Sequence, residues 1–221
     1  MLELKIDGHK AGHHILGDIY TAVTRGDRIC LLGPSGVGKT TLLNAVAGLD
    51  GRLSPLISGR ARVRVGYLFQ EHRLLPWRTV AQNLALVGAD ADTIARLLAE
   101  VGLSGYADHL PDQLSLGMAR RAALARCLAV NPDLLLLDEP FASLDARRAG
   151  ELRELICRLL DAHPDMAMIC VTHDAADVRE LANRLWYLDG EPATLQWDDA
   201  LPADESTDGL VRQLQRLGEG I

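Results

Sequence analysis

The sequence of 221 residues predicts a single α/β domain, and three stretches carry that prediction. Four consecutive leucines at 134–137 suit a strand that is buried on both faces, as in a mostly parallel sheet. A glycine-rich loop at 33–41 follows an apolar run and precedes a helix-like segment, which is the order strand, loop, helix. The stretch 71–130 has helical periodicity and no strand pattern, so we predict a helical subdomain inserted into the core.

The N-terminal part predicts a separate antiparallel β unit. Apolar residues alternate along 2–6 and again along 19–23, which is the period-two pattern of half-buried strands. The turn between these strands holds His9, His13 and His14. No Asp, Glu or Cys at matching metal-ligand spacing accompanies them, so an exposed turn is a better interpretation than a metal site.

The glycine-rich loop predicts nucleotide binding. Its residues are Gly33, Pro34, Ser35, Gly36, Val37, Gly38, Lys39, Thr40 and Thr41. They match G-x-x-x-x-G-K-[ST], in which glycines let backbone N–H groups point at one anion and the following helix N-terminus adds positive charge. Lys39 is expected to reach the β- and γ-phosphates, and Thr40 to bind Mg²⁺ through its hydroxyl. The sequence therefore predicts a P-loop NTPase core.

Two more strands are predicted after this loop. Arginine alternates with apolar residues along 60–65, which indicates a strand with a solvated face. The apolar run 66–69 indicates a buried strand that ends in the polar side chain of Gln70. The predicted division of the chain is a core of 1–70 and 131–200, a helical subdomain of 71–130, and a short C-terminal tail of 201–221.

Polar side chains follow two apolar runs where each predicted strand ends. The leucine strand ends in Asp138 and Glu139, and the run 166–172 ends at His173. Ligands of open α/β sheets bind at these carboxyl ends. Asp138 would hold Mg²⁺ through its water shell, and Glu139 would polarise the attacking water. Gln70 would orient that water or reach the metal, and His173 would donate a hydrogen bond to the γ-phosphate, although either residue alone is more typical of a structural role.

In this combination the chain resembles the nucleotide-binding subunit of an ATP-binding-cassette (ABC) transporter, to about residue 195. The resemblance implies that Gln70 is the Q-loop glutamine, that Glu139 is the catalytic glutamate, and that His173 is the switch histidine. Residues 142–145 would form the D-loop, and Asp138 would end the Walker B strand. The implied activity is the hydrolysis of ATP to ADP and phosphate, coupled to transport.

Leu114–Met118 is similar to the family signature L-S-G-G-Q, with two departures. Leu116 replaces the first glycine and Met118 replaces the glutamine. Ser115 and Gly117 keep the hydroxyl and the open backbone that are most closely tied to phosphate contact. The resemblance implies a head-to-tail dimer in which these residues contact the ATP on the partner's P-loop. Slow hydrolysis is an open alternative.

The adenine contact is also open. The resemblance implies an aromatic ring eight residues before Asp18, but Lys10 stands there and no aromatic residue precedes Tyr20. His9, Lys10 or His13 would substitute for that ring.

A membrane partner is implied by the run F-Q-E-x-x-L-L-P-W, which resembles importers of nitrate, sulfonate and taurine-type anions. Gln70–Arg78 would dock onto a separate permease, although packing of Trp77 into the helical subdomain is an equal alternative. No apolar run approaches the roughly 18–20 residues that span a bilayer, and the N-terminus lacks a signal peptide's apolar core. We expect a cytoplasmic protein, peripheral on the inner face of the cell membrane. Import is favoured over export because no membrane domain is fused to the chain.

Charge and the remaining motifs weigh against other classes. The net charge of −7 argues against a nucleic-acid binder, and the four widely spaced cysteines are typical of reduced thiols. Non-transport ABC ATPases usually carry two cassettes, a long coiled coil or basic extensions, and the sequence shows none of these. A P-loop kinase or GTPase would leave the signature-like stretch 114–118 unexplained. An inactive cassette is mildly favoured by Leu116 and Met118 and disfavoured by Glu139 and His173.

Overall fold

The structure is a computed structural model and describes residues 2–6, 15–53, 57–58, 60–201 and 206–218. The strands are β1 (Leu2–Ile6), β2 (Ile19–Val23), β3 (Arg28–Leu32), β4 (Ile57–Ser58), β5 (Val65–Leu68), β6 (Leu134–Asp138), β7 (Ala167–Val171), β8 (Arg184–Asp189) and β9 (Thr194–Ala200). The α-helices are α1 (Lys39–Ala47), α2 (Val80–Ala85), α3 (Ala91–Glu100), α4 (Leu116–Leu128), α5 (Ala146–Ala162), α6 (Ala175–Leu181) and α7 (Ser206–Gly218). Short 3-10 helices lie at Arg60–Arg62 and Pro111–Gln113.

The larger sheet has six strands in the order β5-β6-β7-β3-β8-β9. Its first five strands are parallel, and β9 pairs antiparallel with β8. The carboxyl ends of β3, β6 and β7 therefore meet at one end of the sheet, where the loops that follow them converge. This arrangement confirms the predicted mostly parallel sheet.

A second, smaller sheet contains β1 between β2 and β4, and all its pairs are antiparallel. Leu2 lies opposite Val23, and Ile6 lies opposite Ile19. The predicted antiparallel N-terminal part is confirmed. The histidines of the predicted turn and the candidates for the adenine contact lie outside the described residues, namely His9, Lys10, His13 and His14.

The predicted strand at 60–65 is wrong, because a 3-10 helix at Arg60–Arg62 precedes β5. The first arginine of this helix donates a hydrogen bond to the carbonyl oxygen of Ala47, at the end of α1. Arg64 Nη2 lies 3.0 Å from Asp133 Oδ1, at the start of β6. Specific acceptors therefore fold the chain locally, in place of the solvated strand face that the alternating pattern predicts.

Strand β6, the second in the sheet, is buried on both faces, as predicted. Its four leucines are at most 1% exposed. Leu135 and Leu137 pack in the cluster that includes α4 and α5, whereas Leu134 and Leu136 pack in the cluster that includes α1 and the N-terminal strands. A run of four apolar residues in a strand requires packing on both faces of the sheet. This packing fixes the position of Asp138 and Glu139, which follow the leucines.

Helices α2, α3 and α4 occupy the stretch 71–130, in which the described chain contains no strand. A capping box begins α2: Gln82 N donates to Thr79 Oγ1 at 3.2 Å, and Thr79 N donates to Gln82 Oε1 at 3.1 Å. The first turn of α2 is also bonded to the loop before α4, because Val80 N donates to His109 O at 2.9 Å. The division of the chain into core and subdomain stays a prediction.

The described cysteines are all free thiols. Cys30, Cys127 and Cys170 are buried, and Cys157 is half-buried. Burial raises the pKa of Cys127 to about 12, so this thiol is protonated at neutral pH. Among the residues that the structure describes, no cluster of His, Cys, Asp and Glu could hold a metal ion by itself, and no helix is long and apolar enough to cross a membrane.

Candidate nucleotide-binding and hydrolysis site

The phosphate-binding loop has the backbone that only glycine adopts freely. Gly33, Gly36 and Gly38 have φ angles of 152°, 80° and 112°. A β-carbon on Gly33 would lie 2.3 Å from the carbonyl oxygen of Leu188, and one on Gly38 would lie 2.7 Å from Ile15 Cγ2. The loop therefore rests directly on the backbone of β8, and two of its glycines are required by close packing.

Lys39 folds back over this loop. Its Nζ donates to Gly33 O and to Pro34 O, each at 2.7 Å. Burial lowers the pKa of Lys39, and the nearby carboxylates of Glu139 and Asp138 offset this only in part. The ammonium group is thus already held at the loop and would exchange carbonyl oxygens for phosphate oxygens.

Thr40 and Asp138 meet although 98 residues separate them. Thr40 Oγ1 donates to Asp138 Oδ2 at 3.0 Å and lies 3.2 Å from Oδ1. Tyr67 donates to the same Oδ2 at 3.4 Å. Asp138 is 4% exposed, and burial raises its pKa, with a further rise from Glu139. A hydroxyl and a carboxylate beside a phosphate-binding loop are hard oxygen donors, so this donor set fits Mg²⁺.

Glu139 turns sharply away from β6. Its φ angle is 47°, and its N–H donates to Val171 O at 3.1 Å on the neighbouring strand. Gln70 Nε2 donates to Glu139 Oε2 at 3.3 Å. The structure therefore brings together the two side chains that the sequence places near the attacking water.

His173 lies at the same end of the sheet. It follows β7, which pairs with β6 so that Val171 lies opposite Asp138. His173, Glu139 and Ser143 line one cleft with a volume of about 590 Å³. Residues 142–144, in the predicted D-loop, and His173 thus face the same cleft as Glu139.

A buried ion pair lies in the wall of this cleft, and the sequence did not predict it. Arg153 donates to Asp177 Oδ1 from Nη2 at 2.7 Å and from Nε at 2.9 Å. Thr172 Oγ1 donates to Asp177 Oδ2 and accepts from Asp174 N at 3.1 Å. Since Thr172 directly precedes His173, this network sets the backbone of the histidine. The available signal was the position of Arg153 on the apolar face of α5.

The altered signature begins α4. Ser115 is its N-cap, and Ser115 Oγ accepts from Met118 N at 3.3 Å. A β-carbon on Gly117 would meet only Arg148 Cδ, at 3.9 Å, and Leu116 is 44% exposed. Among the described hydrogen bonds, none joins Ser115 or Gly117 to the phosphate-binding loop. Within one chain the signature therefore forms an open surface.

Two arginines of α4 connect this helix to the rest of the site. Arg120 is 5% exposed and donates to the carbonyl oxygen of Pro140, directly after Glu139. Arg126 Nη1 donates to Arg73 O at 2.8 Å, close to Gln70 along the chain. Arg120 is therefore not on a solvated helix face, and its guanidinium supports the turn that carries Glu139.

Trp77 does not pack into the helices, since 70% of its surface is exposed. Leu74, three residues earlier, is buried and anchors the segment. Residues 76–78 are all exposed, so the region Gln70–Arg78 presents its indole ring to the outside.

A phosphate-binding loop at the carboxyl end of β3 in a parallel sheet, with Asp138 and Glu139 at the carboxyl end of β6, defines a P-loop ATPase. Residues 16–142 match the family model described as ABC transporter, which is more than half of the chain. The chain belongs to the ABC transporter family.

Relatives and solved structures agree with this assignment. The aliphatic sulfonates import ATP-binding protein SsuB 2 of Burkholderia cenocepacia (strain HI2424) is 44% identical over 232 residues, covering 98% of the chain and 86% of the relative. A protein of the same name from Pseudomonas syringae pv. tomato (strain ATCC BAA-871 / DC3000) is 40% identical over 198 residues, covering 88% and 84%. The dimeric post-hydrolysis structure of the cassette MJ0796, bound to ADP and Pi, has a TM-score of 0.74 at 25% identity, covering 92% of the chain and all of that structure.

The chain is therefore an ATP-hydrolysing subunit of an ABC transporter, which confirms the resemblance, the fold class and the activity inferred from its motifs. The structure joins Thr40 to Asp138 and Gln70 to Glu139. It leaves Ser115 and Gly117 without a described contact to the loop, as expected if a second subunit supplies the nucleotide.

Proposed function

We propose that this subunit powers the import of aliphatic sulfonates, or of closely similar oxyanions, through a separate membrane permease. The relatives that match up to 98% of the chain are named for aliphatic sulfonate import, and this observation carries the proposal. The run that begins at Phe69 is similar to that of importers for such anions. The subunit would then lie at the inner face of the membrane.

The region Gln70–Arg78 is the proposed contact with the permease. Trp77 is 70% exposed just before α2, and Leu86 and Val87 are 52% and 39% exposed just after it. Exposed aromatic and aliphatic side chains of this kind serve as anchors in protein interfaces. The contact would lie next to Gln70, whose amide holds Glu139, so movement of the permease would reach the catalytic carboxylate directly.

Two subunits are proposed to act as a head-to-tail dimer with ATP at the interface. The open space around Gly117, the exposed Leu116 and the dimeric state of the MJ0796 structures support this arrangement. ATP that contacts the P-loop of one chain and Ser115 of the other binds the closed pair more tightly than the open pair. Hydrolysis removes that differential contact, and the pair opens.

The proposed chemistry assigns a role to each side chain. The loop 33–41 wraps the phosphates, with Lys39 transferred from backbone carbonyls to phosphate oxygens. Thr40, Asp138 and Gln70 would hold Mg²⁺, which when bound neutralises phosphate charge. Glu139, once Gln70 releases it, accepts a hydrogen bond from the attacking water.

His173 is the proposed donor to the γ-phosphate. Together with the carboxylate of Glu139, it would enclose the reacting water in the cleft that both side chains line.

Replacing Glu139 with Gln tests the catalytic assignment. The amide cannot act as a base, so turnover is expected to fall by about 100-fold or more, while ATP binding is retained and ATP-dependent dimers accumulate. Phosphate release, nucleotide binding and size-exclusion chromatography measure the three effects. Glu151→Gln is the matched control, because Glu151 lies exposed on α5 and pairs with Arg147. Wild-type turnover in Glu139→Gln would remove Glu139 as the base.

A second experiment tests the cargo and the partner. A deletion strain should lose growth on an alkanesulfonate as sole sulfur source, keep growth on sulfate, and recover with the wild-type gene. The tagged protein should co-purify with a membrane permease in detergent. Normal growth of the deletion strain on alkanesulfonates would exclude the sulfonate proposal but not the ATPase activity.

A further inference from the structure

Tyr67 joins the candidate metal site to the segment that follows β5. It lies on β5, opposite Leu136 of β6, and its hydroxyl donates to Asp138 Oδ2 at 3.4 Å. Thr40 approaches the same carboxylate and contacts both of its oxygens. Two hydroxyl donors, one on α1 and one on β5, fix the orientation of a carboxylate better than one donor does. Removing a donor from a buried carboxylate costs free energy, because water does not replace the lost hydrogen bond.

The ring of Tyr67 continues the connection away from the metal site. It stacks on Phe69 with 3.9 Å between the ring centroids and an interplanar angle of 24°. The guanidinium carbon of Arg73 lies 3.9 Å from the centroid of the Phe69 ring, so a cation–π contact continues the stack. Arg73 has a left-handed backbone with φ 46°, and Arg126 of α4 donates to its carbonyl oxygen.

We propose that Tyr67 is a positioning residue for ATP hydrolysis: its hydroxyl orients Asp138, and its ring ties that orientation to Phe69 and to Arg73, which lies within the proposed permease contact. This inference rests on the proposed function, because it needs Asp138 as a ligand of Mg²⁺. A phenol suits the task, since a stacked ring with two torsions holds its hydroxyl in place at little entropic cost. Occupancy of the metal site and the position of residues 70–78 would thereby depend on each other.

The variant Tyr67→Phe removes the hydroxyl and keeps the ring stack. The Mg²⁺ concentration that half-saturates hydrolysis is expected to rise about tenfold, because partners that orient a metal ligand typically contribute 10–100-fold and this hydrogen bond is long. Binding of Mn²⁺ to the ADP complex, measured by electron paramagnetic resonance, should weaken by a similar factor. ADP affinity in EDTA should stay at the wild-type value. Tyr106→Phe is the control, since the ring of Tyr106 lies tilted against that of His109, in the loop before α4.

The variant Phe69→Leu breaks the stack and keeps the hydroxyl. Metal affinity should stay within about threefold of wild type. Hydrogen exchange of the amides in 70–78 should respond to Mg²⁺–nucleotide in the wild type and lose most of that response in this variant. A thermal unfolding scan of each variant verifies that it is folded.

Wild-type metal dependence in a folded Tyr67→Phe, in both hydrolysis and Mn²⁺ binding, would overturn the orienting role. An unchanged exchange response in folded Phe69→Leu would overturn the coupling to 70–78. Glu139→Gln separates these failures from failure of the proposed function: if that variant is inactive while Tyr67→Phe behaves as wild type, only the inference about Tyr67 is wrong. If Glu139→Gln hydrolyses ATP at the wild-type rate, the proposed mechanism itself fails.

Discussion

Removing the carboxylate of Asp177 should destabilise the core beneath the hydrolysis site. The side chain of Asp177 is 2% exposed and that of Arg153 is 11% exposed, so both charges are largely withdrawn from water. Asp177→Ala leaves the guanidinium without its two short hydrogen bonds and leaves the Thr172 hydroxyl without its acceptor. Helices α5 and α6 lose the most deeply buried polar contact between them, and the longer contact of Arg153 with Glu180 remains.

The expected loss is about 3 kcal/mol. Breaking a buried ion pair by removing one partner costs about 3–5 kcal/mol, and the lower end applies because Glu180 Oε1 lies 3.5 Å from Arg153 Nη1 and remains in place. At about 2–4 °C per kcal/mol for a chain of this size, the melting temperature should fall by about 6–12 °C. Burial raises the pKa of Asp177 despite its hydrogen bonds, which indicates that this pair is costly to desolvate.

Thermal and urea unfolding of Asp177→Ala, Arg153→Met and the double variant form a double-mutant cycle. The double variant should lose less than the sum of the single losses, by about 1–3 kcal/mol, because neither charge is then left unpaired. Arg147→Ala is the control: its side chain is 86% exposed in its pair with Glu151, and such pairs are worth less than about 1 kcal/mol. A melting temperature of Asp177→Ala equal to that of Arg147→Ala would refute the argument.

Two further predictions concern the loop and acid stability. Gly33→Ala should prevent folding, because its β-carbon would lie 2.3 Å from a backbone carbonyl oxygen. Gly36→Ala has open space around its β-carbon and should fold, at a cost of about 1–2 kcal/mol for a side chain at φ 80°. Similar thermal unfolding of the two variants would contradict this prediction. Although burial raises the pKa of Asp198, hydrogen bonds from Arg184 and other donors hold it below its usual value, so its contribution to stability is lost as pH falls below about 4. Urea unfolding should show a smaller loss between about pH 5 and pH 3 in Asp198→Asn than in wild type, and an equal loss would refute it.

The sequence predicted the site where a general rule of sheets applies. Thr40 and Asp138 are 98 residues apart, and Gln70 and Glu139 are 69 apart, yet each pair lies in contact. The carboxyl ends of parallel strands lie at the same end of a sheet, and this rule was sufficient to predict that both pairs lie close together. The apolar run of β6 and the glycine motif fixed which strands were involved.

The prediction from sequence was wrong or incomplete where a single arginine side chain bonds to one specific acceptor. The alternation at 60–65 predicts a strand, but the first arginine there bonds to Ala47 O, 13 residues back, and the chain turns instead. Arg120 and Arg153 are buried on helices, and an arginine pattern alone does not separate such residues from a solvated face. Their acceptors, Pro140 and Asp177, are set by packing of helices on the sheet.

The described contacts also explain why the isolated chain should hydrolyse ATP poorly. Lys39 is bonded to its own loop, the Glu139 carboxylate is held by Gln70, and the Ser115 hydroxyl caps its own helix. Binding of ATP must therefore exchange these hydrogen bonds for others, so each new contact yields only a modest net gain. Ser115 has no described bond to the phosphate-binding loop of its own chain, so in the proposed dimer it exchanges its cap for the nucleotide on the partner. In that dimer one bound ATP can draw on Lys39 of one chain and Ser115 of the other, which would couple catalysis to assembly through groups that are bonded within each chain at rest.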